Sequence, residues 1–240
     1  MGKKLSKKEK KKLKYMQEQL PQPTKTEPKK INIKKIIPFV ITTFLIIAIV
    51  LLTRTEKPEY TPLKTDVPFV GNPDAPVTIK SFSEFQCPYC ADFFAKTYPE
   101  IKEKYIDTGK VKFVFYELPI EQRAFSFKAS EAARCAYDQG KYEDYALLLY
   151  NKQKHWGRIG PSVFDDYATE LGLDVEKFNT CLKSGSMKEI ILKEIQDSKQ
   201  FQITGTPTFF INDRRIVGSK PFEDFEKIIN EKLQLANKTA

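Results

Sequence analysis

The chain has 240 residues and a formal net charge of +9, room for one large domain or two small ones, with a basicity that first suggests nucleic acid or membrane. Residues 1–35 hold 13 Lys against 3 Glu, whereas the remainder carries 27 Lys and Arg against 28 Asp and Glu. All of the basic excess therefore lies in the tail, and nucleic-acid binding by the rest of the chain has no support.

The tail, with its Lys runs and Pro21, Pro23 and Pro28, is too polar to bury a core and is expected to lack fixed structure. From Ile36 to Thr53 run 18 residues without a charge. As a helix they span about 27 Å, just short of a ~30 Å hydrocarbon core, and Lys34, Lys35 and Arg54 bracket them. An apolar run of this length has no polar face to show water, so a single transmembrane helix over 36–53 is expected rather than a core helix. The Lys excess before it puts residues 1–35 on the cytoplasmic side and the rest outside the cytoplasm. The long basic lead and the lack of a small-residue cleavage site in TRTEKPEY argue for an uncleaved anchor over a signal peptide. Residues 54–66 read as a polar, proline-containing tether, leaving residues 67–240 as the folded domain.

Within that domain Pro76–Phe82 (PVTIKSF) reads as a strand leading directly into Cys87-Pro88-Tyr89-Cys90. Ala91, Phe94, Ala95, Tyr98, Ile101 and Tyr105 then fall at helical spacing, so a helix begins at Pro88. Lys110–Leu118 (KVKFVFYEL) is apolar on both faces, as in a central strand, and strand–helix–strand implies parallel neighbours. From about 120 to 200 the pattern is helical, with a small-residue face of Ala129, Ala132, Ala133 and Ala136. Asp174 caps a helix that stops at Gly185, and Ser186 with Glu189 has capping-box spacing for the next. Two short strands, Thr208–Ile211 and Arg214–Val217, flank an Asn212-Asp213 turn, and a last helix from Pro221 turns Phe222, Phe225, Ile228 and Ile229 inward. The sum is an α/β fold: βαβ, a helical insertion, then ββα.

A Cys-x-x-Cys at a strand-to-helix junction sets its first sulfur among the free N–H groups of a helix N-terminus, which favours the thiolate. The second sulfur, one turn on, can attack a mixed disulfide formed on the first. Thiol–disulfide exchange needs this pairing of an exposed, acidic Cys87 and a protected Cys90. A zinc half-site would require a second pair or nearby histidines. Cys135 and Cys181 are far apart in sequence and His155 is the single histidine, so no metal is implied and Cys–His hydrolase chemistry is set aside. Tyr89 is expected on the surface between the cysteines, while Phe93, Phe94, Trp156 and Phe164 belong in the core.

SEFQCPYC followed more than a hundred residues later by ITGTPTFFIN, in this order of elements, resembles the DsbA-like branch of the thioredoxin superfamily over about residues 67–235. The resemblance implies a thioredoxin-like fold, a cis-Pro207 facing the cysteine pair, and a Thr206 backbone that pairs with an extended substrate. Such proteins commonly carry a buried acid six residues before the first cysteine, where this chain has Ser81. Glu84 is the nearest acid. It either moves the proton of Cys90, as a similarly placed acid in membrane-anchored members suggests, or is a solvated carboxylate at a strand end. The ARCA…CL pattern resembles members with a second disulfide, implying a structural Cys135–Cys181 bridge; two separate buried thiols are the alternative. The even cysteine count and an extracytoplasmic location favour the bridge.

The function expected is a membrane-tethered thiol:disulfide oxidoreductase passing a disulfide from Cys87–Cys90 to exported protein thiols, without a cofactor. Reoxidation would fall to a quinone-linked membrane partner, DsbB-like or vitamin-K-epoxide-reductase-like by resemblance. The alternatives are a tethered reductant of the same fold and a non-catalytic peptide-binding module.

Overall fold

The computed structural model describes residues 7–18, 42–47 and 66–239. In the tail, Lys7–Glu18 forms a helix, α1, which corrects the expectation of a structureless lead. Lys, Glu, Gln and Leu are good helix formers, and Pro21 lies just beyond its end. Residues 42–47 are helical (α2). The rest of the apolar run 36–53, and the tether 54–66 apart from Asp66, lie outside the described residues. Among the described residues no helix is long and apolar enough to cross a membrane.

The domain is built on a five-stranded sheet of order β1-β3-β2-β4-β5, comprising β1 (Phe69–Val70), β2 (Val77–Ser83), β3 (Val111–Glu117), β4 (Thr208–Ile211) and β5 (Arg214–Val217). β2 and β3 run parallel from Val77↔Val111 to Ser83↔Glu117, whereas the β1–β3, β2–β4 and β4–β5 pairs are antiparallel. The crossover between the parallel strands is α3 (Pro88–Ile101), continued by a π turn at Lys102–Ile106 that keeps Tyr105 and Ile106 buried. α3 and the last helix, α10 (Phe222–Thr239), cover one face. There Phe93 packs on Phe209 with ring centroids 4.2 Å apart and on Phe225 at 5.3 Å, and the Phe225 and Ile229 side chains are fully buried. On the other face Phe82 stacks on Tyr116 at 4.7 Å and meets Phe201 at 5.0 Å. Asn212 makes the β4–β5 turn with φ 52°, and its side chain accepts from Thr78 N at 2.8 Å, tying the hairpin to β2.

The helical insertion opens with a turn-rich stretch before α4 (Ser126–Tyr137) and continues with α5 (Tyr142–Asn151), α6 (Gln153–Ile159), α7 (Phe164–Glu170), α8 (Val175–Ser184) and α9 (Met187–Ser198). Asp174 caps α8 by accepting from Lys177 N at 3.0 Å, and Gly185 ends it at φ 69°. The Ser186–Glu189 box does not form. Ser186 has helical dihedrals and makes no cap bond, because the Ser184 hydroxyl takes its N–H at 3.1 Å and its Oγ at 3.0 Å. Cys135 on α4 and Cys181 on α8 are joined by a disulfide, with Cα atoms 5.8 Å apart. Arg134, 1% exposed, is the polar centre of the insertion. It donates to Glu117 Oε2 at 2.9 Å and to Asp66 O at 2.9 Å, and also pairs with Glu194 on α9. Two carboxylates share this one buried cation, and burial followed by the Glu117 charge lifts the Glu194 pKa to about 8.

Candidate active site

The end of β2 delivers the chain through Glu84-Phe85-Gln86 to Cys87, which caps α3 with extended dihedrals (φ −79°, ψ 119°) and Pro88 behind it. Proline at the first helical position needs no N–H partner, so the helix can start at once. Cys87 O accepts from Ala91 N at 3.1 Å, setting its sulfur beside the free N–H groups of the first turn. The Thr206–Pro207 peptide bond is cis, and as a thiol Cys87 donates from Sγ to Thr206 O at 3.3 Å. The two distant motifs therefore meet at one sulfur.

Neither Cys87 nor Cys90 is bridged, so this is the reduced dithiol. The Cys87 pKa falls from 9.0 to about 5. The largest cause is the Cys90 thiol donating to it; burial opposes, and the Thr206 hydroxyl and the N–H groups of Cys90 and Tyr89 add to the lowering. Burial pushes the Cys90 thiol well above its ordinary value, and the neighbouring Cys87 sulfur raises it further. One sulfur is thus charged and the other protonated at neutral pH, the division of roles exchange requires. The expectation of an open Cys87 needs correction: it is only 4% exposed, Cys90 is fully buried, and Tyr89 between them is 67% exposed. Ser81, six residues before Cys87, is buried and shares a 2.8 Å hydrogen bond with Ser83.

Glu84 is not the solvated carboxylate allowed by the sequence, being 1% exposed. Its Oε1 accepts from Gln86 N at 2.8 Å and from the Ser126 hydroxyl, and Oε2 lies 3.0 Å from Arg123 Nη1 without hydrogen-bond alignment. Burial raises its pKa above the usual carboxylate value against these partners. Sequence reasoning missed the groups that hold this loop. Gln153 Nε2 donates to Phe85 O at 2.7 Å and to Cys87 O at 2.9 Å. Phe125 N donates to Gln86 Oε1 at 3.2 Å, and Arg123 also reaches Gln86 O. All come from the insertion. A polar Gln86 between Phe85 and Cys87 was the one local hint of such partners. His155 lines a cavity with Pro88 and Gln153, its Nδ1 3.0 Å from the Tyr167 hydroxyl, and among the described residues no group of His, Cys, Asp and Glu could hold a metal.

A family model described as thioredoxin matches residues 64–231. The Na(+)/H(+) antiporter NhaA 1 of Salinispora arenicola is 33% identical over 165 residues, 68% of this chain and 24% of the antiporter. The chain thus spans about a quarter of the antiporters it matches. Disulfide bond formation protein D of Bacillus subtilis is 29% identical over 184 residues, 70% of this chain and 77% of that protein. Among solved structures, alpha-DsbA1 of Wolbachia pipientis superposes with TM-score 0.66 at 25% identity, covering 77% of this chain and 99% of the other. The matched span exceeds half of the sequence and contains both the cysteine pair and the cis-proline loop, so the chain belongs to the thioredoxin family, on its DsbA-like branch.

Proposed function

We propose that this thiol:disulfide oxidoreductase works as a disulfide donor to exported proteins, tethered to a membrane by residues 36–53 with residues 67–240 outside the cytoplasm. The observation that carries the direction is the thiolate-stabilised Cys87, lowered to about 5. An environment that favours the thiolate favours the reduced pair, which makes the disulfide the stronger oxidant. In the oxidised enzyme a substrate thiolate attacks Cys87 Sγ, the Cys87–Cys90 bond breaks, and Cys90 leaves with the electron pair. Cys90, whose thiol form is strongly favoured, takes up a proton, and buried Glu84, three residues before Cys87, is the donor this reading assigns. A second substrate thiolate then attacks the substrate sulfur of the mixed disulfide and releases Cys87 as the thiolate. The Thr206 backbone beside cis-Pro207 pairs with the extended substrate, Pro88 and Tyr89 shape the surface around the cysteines, and the Cys135–Cys181 bridge is structural.

The similarity to disulfide bond formation protein D and to alpha-DsbA1 supports this reading. A quinone-linked membrane protein, DsbB-like or vitamin-K-epoxide-reductase-like, would reoxidise the pair. The test is the reduction potential of Cys87–Cys90 in the detergent-solubilised full chain, equilibrated in glutathione buffers with thiols counted by alkylation and mass. A value far above thioredoxin's, about −270 mV, towards the DsbA end at about −120 mV supports the donor. A value at the thioredoxin end refutes it and favours the tethered reductant.

A further inference from the structure

Both side-chain partners of Glu84 come from one short turn. Arg123 N donates to Ile120 O at 3.0 Å, Ser126 N to Arg123 O at 3.3 Å, and Ile120 N to Ser126 Oγ at 3.0 Å. Since the Ser126 oxygen accepts from Ile120, its single proton is left for Glu84 Oε1. Oε1 also accepts from Gln86 N at 2.8 Å. With two donors already on Oε1, a proton carried by Glu84 belongs on Oε2, which has no hydrogen-bond partner among the described residues. Arg123 Nη1 faces Oε2 at 3.0 Å but donates to Gln86 O. The guanidinium thus stands against this oxygen as a charge rather than as a donor. Its side chain is 35% exposed, whereas that of Glu84 is fully buried.

We propose that Arg123 is a positioning residue for proton delivery, its charge stabilising the carboxylate left behind when Glu84 Oε2 gives its proton to Cys90. The inference rests on the assignment of Glu84 as donor above. In that step the O–H bond of Glu84 breaks, an S–H bond forms on Cys90, and the negative charge passes from sulfur to carboxylate. The charged neighbours that bear on Glu84 are Arg123 and the Cys87 thiolate. Tyr150, whose ring lies 4.9 Å from that of Phe85, is kept as the neutral phenol by burial. In the oxidised enzyme neither Cys87 nor Cys90 is charged, which leaves Arg123 as the charged partner of the acid. Burial weakens Glu84 as an acid; the Ser126 and Gln86 hydrogen bonds and then the Arg123 charge oppose it. The acid can therefore both hold a proton and release it.

The experiment reacts the oxidised full chain, in detergent, with dithiothreitol across the pH range and expresses each rate per dithiothreitol thiolate. Cys90 leaves poorly without a proton, so the wild-type rate should fall as the pH rises through the Glu84 titration, a limb missing from Glu84→Gln. Arg123→Gln removes the charge but can still donate to Gln86 O. It should move the limb up by about one pH unit, the effect of one partly exposed charge. The weaker acid should react about threefold slower below the limb and about threefold faster above it, a crossing that a structural defect alone would not give. Arg123→Lys, which keeps the charge, should leave the limb near its wild-type position. A limb unmoved in Arg123→Gln, or moved equally in Arg123→Lys, would overturn the proposal and leave Glu84 as the donor. A wild type without the limb, or a Glu84→Gln variant that keeps it, would remove the donor reading and the proposal with it.

Discussion

Because folded, reduced Cys87 titrates at about 5 and an ordinary thiol at 9.0, lowering the pH should erode the stability of the reduced protein selectively. A depressed folded pKa means the native state releases this proton first. Its stabilising effect is complete above the ordinary value and is lost as the pH falls through about 5. At about 1.4 kcal/mol per pH unit, the reduced state gains roughly 3 kcal/mol at pH 7 and almost nothing at pH 4. The oxidised protein has no Cys87 thiol and lacks the effect. The same 3 kcal/mol raises the potential by about 60 mV at pH 7 relative to an unperturbed dithiol. Denaturant unfolding of both forms from pH 4 to 7, with the thiolate followed by its ultraviolet absorbance, reads both quantities. The gap between reduced and oxidised stability should widen by about 3 kcal/mol in favour of the reduced form over that range. A gap that stays flat, or a thiolate that first appears near pH 9, would refute the account. Cys90→Ala, which removes the largest cause of the shift, should move the Cys87 titration upward.

Glu84→Gln keeps the shape of the buried side chain but cannot carry a proton; it should slow exchange about tenfold and alter its pH profile. An unchanged rate and profile would leave Glu84 a purely structural acid. Since burial raises the Glu84 pKa above 4.5, the native state loses stability as the pH rises from that ordinary value through the raised one, and the Gln variant should be spared that loss in denaturant unfolding followed upward from pH 4. Gln153→Leu withdraws the donor shared by the Phe85 and Cys87 carbonyls and should cost about 1–3 kcal/mol in denaturant unfolding, with a measurable rise in the Cys87 titration. Replacing Cys135 and Cys181 together by Ala opens a bridge across a separation of 46 residues. The loss should be about 4 kcal/mol in thermal unfolding, with the exchange rate preserved.

The strands and the first helix could be read from the sequence because their determinants are local. The β-formers of β2, Pro88 at a helix start and Asn212-Asp213 between two short strands each act within a few residues. Two-residue β1 was not legible, since Phe69-Val70 becomes a strand only by pairing with Val114 and Phe113 of β3. The Ser186–Glu189 box failed for a related reason. The spacing was correct, but Ser184, also nearby, competes for the same groups. At the site, the cysteine pair and Thr206-Pro207 were visible because the chemistry demands those residue types. Glu84 was visible as a residue but not in its burial, which is made by Arg123 and Ser126 from the insertion. Gln153 carried no signal of its own: a glutamine on a helix 66 residues beyond Cys87 is ordinary until the fold brings it there.

The clamp formed by Arg123, Phe125, Ser126 and Gln153 has an evolutionary corollary. The redox motif and Glu84 sit on the sheet-and-helix framework, but the hydrogen bonds that hold the Cys87 carbonyl and the Glu84 carboxylate are supplied by the insertion. Selection can therefore retune the oxidising power of an unchanged Cys-Pro-Tyr-Cys by drift in a segment outside the motif. Two chains with the same four motif residues need not share a potential, and a swap of insertions, rather than of motifs, would carry the redox phenotype from one to the other.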